Sequence, residues 1–175
     1  MTELLWVNST IDKDWLEWFG TSWRVYEDYK RQREILSKKI NSLKSVNYDS
    51  DKVSNGASSH LSEQERYAMK LERINTLIKE CESILMPAKE RLKKHISRIK
   101  RADYRKILIL RYVEHWKWSD IIEECFWYES NFEKTDPKWK DKIMQQNRAA
   151  LSQLEKLSDK PYIPAEKQLH IEDIK

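Results

Sequence analysis

Two glycines in 175 residues, Gly20 and Gly56, restrict this chain more than any other feature. Tight hairpins and phosphate-cradling loops need glycine for left-handed backbone and for close approach of a ligand to the main chain. Neither a dinucleotide fingerprint nor a phosphate-binding loop can be written with two glycines this far apart. The rest of the composition agrees, with 35% charged beside 39% hydrophobic residues and four prolines. Such a chain folds as amphipathic helices with large solvated faces. The expected fold class is all-α, in one medium domain or two small ones.

The net charge of +4 is unevenly spread. Residues 91–156 hold 16 Lys and Arg against 10 Asp and Glu, which leaves 17 against 19 elsewhere. A basic C-terminal region suits a polyanionic partner, although a solvated helix surface looks the same. Cys81 and Cys125 stand far apart and read as small core residues of a reducing compartment, without a disulfide or a zinc site. His60, His95, His115 and His170 lack ligand spacing, so neither metal nor cofactor is expected. Glu123-Glu124 beside Cys125 does not make a catalytic set, because adjacent helical residues diverge. No enzyme activity is expected. No apolar run reaches bilayer length, and Thr2-Glu3-Leu4-Leu5-Trp6 is not a secretory leader, which points to the cytoplasm and away from a membrane.

Along the chain, residues 1–46 form a Trp-rich and then basic helical segment. Trp15, Trp18 and Phe19 share one helical face, and Ile35, Ile40 and Leu43 make a thin apolar stripe. Residues 47–61 are a polar linker. Residues 62–101 open on a capping box, Ser62-Glu63-Gln64-Glu65. Tyr67, Leu71, Ile74, Ile78, Cys81, Leu85, Ala88 and Leu92 then alternate steps of four and three, a heptad seam that predicts one long packed helix. Pro87 should kink it, or else break it into a hairpin at Met86-Pro87. The seam can pair with residues 21–46 as a helical hairpin, or with a second chain as a coiled coil. Lys89, Arg91, Lys93, Lys94, Arg98, Lys100, Arg101, Arg105 and Lys106 then crowd a short stretch, as a solvated face or as phosphate contacts.

Residues 102–157 carry the pattern of three short helices. Asp103 is placed to cap the first, Ser119 the second, and Asp136-Pro137 the third. Ile143, Ala150, Leu151 and Leu154 hold one side of the third helix, and the side opposite is polar. That is the plan of a helix-turn-helix. Residues 158–175 form a tail.

The run Tyr104-Arg105-Lys106-Ile107-Leu108-Ile109-Leu110-Arg111-Tyr112-Val113-Glu114, followed by Trp118-Ser119-Asp120-Ile121-Ile122-Glu123-Glu124, resembles the start of sigma-factor region 4. Ile143-Met144-Gln145-Gln146-Asn147-Arg148-Ala149-Ala150-Leu151-Ser152-Gln153-Leu154 resembles its recognition helix. Across residues 35–157 the arrangement is similar to the ArpU/RinA-like late-gene transcriptional regulators of phages and prophages of Gram-positive bacteria. The resemblance implies a double-stranded DNA-binding activator of late genes, acting at a promoter with host RNA polymerase. The heptad seam, with the few base pairs that a single helix-turn-helix contacts, leads to the expectation of a homodimer or higher homo-oligomer through residues 62–101. In two places the chain departs from the family. An aromatic insertion, Phe126 to Thr135, replaces a short turn, and Gln145 and Asn147 stand where the family has a basic residue and a histidine. Gln and Asn both match the adenine edge. The expected DNA contacts are Lys138, Lys140, Asp141, Lys142, Gln145, Arg148 and Ser152 on the third helix, with Lys117 and Ser119 at the second. Two other readings stay open: a coiled-coil adaptor that binds a phage or host protein, and a small-terminase-like packaging component.

Overall fold

The computed structural model describes residues 10–46 and 62–157, and every regular element among them is helical. The order is α1 (Lys13–Val46), α2 (Glu63–Ser97), α3 (Ala102–Leu108), a π-helical turn (Ile109–Val113), α4 (Trp118–Phe126) and α5 (Pro137–Leu157). None of these helices is long and apolar enough to cross a membrane. Trp6, His60, His170, the polar linker and the C-terminal tail lie outside the described residues.

Two compact units emerge, Thr21–Leu85 and the chain on either side of it, so the boundaries fall inside α1 and inside α2. They differ from the segments read along the sequence because each long helix serves two cores in turn.

The unit of residues 21–85 is a helical hairpin. The Tyr26 hydroxyl donates to Glu82 Oε1 at 2.9 Å, while Lys39 Nζ lies 5.5 Å from the centre of the Tyr67 ring. An early residue of α1 meets a late one of α2, and a late one meets an early one, so the helices run antiparallel. Burial and the Glu82 carboxylate push the Tyr26 phenol up to about 12. Of the heptad seam, Ile74, Ile78 and Leu85 are buried and Tyr67, Leu71 and Cys81 half-buried. The seam is thus covered in part within the chain. The capping box forms: Ser62 N donates to Glu65 Oε2 at 2.7 Å, and Glu65 N to Ser62 Oγ at 3.2 Å. Pro87 neither ends nor splits α2, which runs through it to Ser97. Ile35 is not part of the packed stripe. It is 54% exposed, because the stripe of α1 runs through Tyr29, Leu36, Ile40 and Leu43 and the next residue on a helix stands about 100° away.

In the other unit α1 begins at Lys13, where Asp12 Oδ1 accepts from Trp15 N at 2.8 Å and caps the helix. Trp15 and Phe19 are buried and stack at 5.4 Å, as their shared face predicts. Phe19 packs 5.6 Å from the His115 ring. His115 takes a left-handed φ of 58°, closing a turn that glycine more usually makes. Just before it, Glu114 N donates to Ile109 O at 2.9 Å, a bond one residue longer than the α-helical one.

The helices α3, α4 and α5 enclose a core of Ile107, Ile121, Ile122, Phe126, Trp139 and Ile143, flanked by Leu110, Trp118, Cys125, Phe132 and Met144. Two expected caps are not used. The N-cap of α3 is Arg101, and Asp103 lies inside the helix with both carboxylate oxygens on the Arg101 guanidinium, at 2.6 and 3.1 Å. That pairing holds the Asp103 carboxyl below its ordinary range. The N-cap of α4 is Lys117, and the Ser119 hydroxyl donates to Asp120 Oδ1 at 3.0 Å instead. Asp136 does cap α5: its Oδ1 accepts from Lys138 N at 2.9 Å, with Pro137 at the first helical position.

Candidate nucleic-acid interface

The site is built on the polarity of α5. Trp139, Ile143, Asn147, Ala150 and Leu154 are buried along one side. Counting about 100° per residue from Ile143, Asp141, Gln145, Arg148 and Ser152 fall on the opposite side. All four are exposed. Among the described residues none of these four side chains makes a hydrogen bond or an ion pair, so their donors and acceptors face solvent uncommitted. Leu151, expected in the core, is half-buried, since it stands on the flank of the helix.

The lysines around this stripe are held in place. Lys142 Nζ is 3.5 Å from Glu129 Oε1 and sits 4.7 Å from the Phe126 ring centre and 5.0 Å from that of Trp139. Lys138 pairs with Asp136 at 2.8 Å and lies 4.9 Å over Trp139. Lys138 is also the largest cause that holds the Asp136 carboxyl below its ordinary range. Both amines stay exposed, and pairs of this kind contribute little and exchange readily. Lys140 is exposed too, but it stands only about 60° from Ile143, off the outward stripe. Lys117 and Ser119 lie exposed at the start of α4. Among the described residues no hydrogen bond or ion pair joins them to α5.

Asn147 requires a correction. It is 7% exposed, and its Nδ2 donates to the Tyr112 hydroxyl oxygen at 3.2 Å. A side chain so placed ties α5 to the π-helical turn and is unable to meet a base edge. Its position four residues after Ile143 already put it on the inward face.

The basic run from the end of α2 into α3 is also largely committed. Arg105 Nη1 donates to Ile99 O at 2.6 Å and Lys100 O at 2.8 Å, pinning the turn between α2 and α3. Arg98 reaches Leu157 O at 3.2 Å, and Lys89 pairs with Glu114 at 3.7 Å. Lys106 holds Glu124 through its carbonyl at 2.9 Å and its carboxylate at 2.8 Å, which raises the Lys106 amine above its ordinary value. These residues join elements to one another before they could serve as a surface charge.

The aromatic insertion divides in two. Phe126 stacks on Trp139 at 5.0 Å and Phe132 packs on the same ring at 5.7 Å, so these close the core. Trp127 and Tyr128 remain 67% and 66% exposed, edge-to-face at 6.3 Å. The pairing of Glu129 with Lys142 and of Tyr112 with Asn147 was missed in the sequence, whose motifs carry both residues without giving them a partner.

Comparison with family models, with curated proteins and with solved structures finds no match to this chain.

Proposed function

We propose that this chain is a sequence-specific, double-stranded DNA-binding transcriptional regulator, an activator of phage or prophage late genes that works at a promoter with the RNA polymerase of its bacterial host. In this reading α3, α4 and α5 are a helix-turn-helix like sigma-factor region 4, and α5 enters the major groove. One observation carries it: the outward stripe of α5, where Asp141, Gln145, Arg148 and Ser152 stand uncommitted opposite a pinned apolar face. A helix presenting mixed donors and acceptors without internal partners matches what base edges require. Lys138 and Lys142, flanking the stripe, supply charge to the phosphates once their weak surface pairs exchange. The late-gene setting rests on the resemblance of residues 35–157 alone.

Binding of the full chain to duplex DNA across a salt series tests this reading. Affinity should fall steeply, with the log–log slope growing by roughly 0.9 for each phosphate neutralised. No binding at low salt contradicts it. A second reading, a protein-binding adaptor, is favoured by the exposed Trp127–Tyr128 pair, since exposed aromatics at this density anchor protein contacts. Retention of duplex DNA and loss of a protein partner on Trp127→Ser would separate the two roles.

A further inference from the structure

The outward stripe of α5 presents three kinds of hydrogen-bonding chemistry in a fixed order. Asp141 only accepts, Gln145 both donates and accepts, and Arg148 only donates. At about 1.5 Å of rise per residue, Asp141 and Arg148 stand roughly 10 Å apart along the axis, about three base-pair steps of ~3.4 Å.

Of these, Asp141 is the residue that DNA binding does not by itself explain. A carboxylate facing a polyanion lowers affinity for every sequence unless a base donor meets it. The usual helical reason for an acid here is weak: the favourable charge of a helix N-terminus fades within the first turn, where Asp136 already serves as cap. Asp141 lies a turn further on. In the structure it pairs with neither neighbouring lysine: Lys138 is on Asp136 and Lys142 on Glu129.

The major groove offers two base donors, cytosine N4 and adenine N6. Adenine sets its N7 acceptor beside N6, which repels a carboxylate and suits an amide; cytosine shows its donor alone. From this chemistry, and resting on the DNA reading above, we infer that Asp141 is a specificity determinant that selects cytosine in the bound duplex, about three base-pair steps from the Arg148 contact. The acid gives up general affinity and gains discrimination, because a site lacking the donor leaves a carboxylate among phosphates.

Selection of binding sites from a randomised duplex library, with the full wild-type chain and with Asp141→Asn, tests this. Circular dichroism should be the same for both, since Asp141 is exposed. The wild type should enrich a C·G pair at one fixed position of its site. Asp141→Asn should lose that preference by roughly 5- to 150-fold, shift towards A·T there, and bind random DNA more tightly as the repulsion disappears. Loss of the cytosine preference without a gain of adenine supports the assignment as well. If both proteins enrich the same site with the same base at every position, Asp141 is not a determinant, while the DNA reading stands. If the wild type enriches no site, the DNA reading falls and this inference with it.

Discussion

Asn147 and Tyr112 make a polar contact inside an otherwise apolar joint between α5 and the π-helical turn. The Asn147 Nδ2 has its partner in the Tyr112 hydroxyl, while Oδ1 is buried without one. A buried amide that loses its only partner costs more than the bond contributed, because desolvation is then uncompensated. Tyr112→Phe should therefore lower unfolding free energy by about 1–2 kcal/mol, measured by urea denaturation. Adding Asn147→Leu to that variant should recover most of the loss, since removing both polar partners is nearly neutral. A single variant as stable as wild type, or a double variant worse than the single, contradicts this account of the joint. Asn147 also marks a limit of residue-by-residue reading. Its side chain can meet adenine, but its register sends it inward, and register decides.

At the scale of elements, the segment between α4 and α5 does two jobs with one run of aromatic residues. Phe132 covers Trp139, whereas Trp127 is two-thirds exposed. Phe132→Ser should lower stability by about 1–3 kcal/mol through lost apolar burial, while Trp127→Ser should stay within about 0.5 kcal/mol of wild type. Equal losses from the two would mean that the segment packs as one piece. Elements set by long periodicities were legible in the sequence. The heptad seam of α2, the Ser62–Glu65 capping box and the Asp136-Pro137 start of α5 each repeat a local rule over several residues, or need only neighbours. Asp103 and Ser119 were not legible as they stand, because a local capping preference competes with a partner that folding supplies. Arg101 takes the Asp103 carboxylate, and α4 starts at Trp118, ahead of Ser119, with Trp118 against the core. Ile35 failed for a similar reason. An apolar residue one position off the stripe looks in register until its helix acquires a partner.

For the whole molecule, the excess of basic residues in 91–156 is a poor map of any binding face. Arg98, Arg101, Arg105 and Lys106 are spent joining helix ends and turns. In the proposed reading recognition therefore rests on the outward stripe of α5, which helical spacing had already drawn, with Lys140 moved to its flank. The most direct measurement compares wild type with Gln145→Ala on the selected duplex and on random duplex at one salt concentration. Gln145 is exposed and outside the core, so melting temperature should not change. Binding to the selected site should weaken by about 1–3 kcal/mol and binding to random DNA hardly at all. Unchanged binding to the selected site in a folded Gln145→Ala protein would contradict the assignment of α5 as the reading helix.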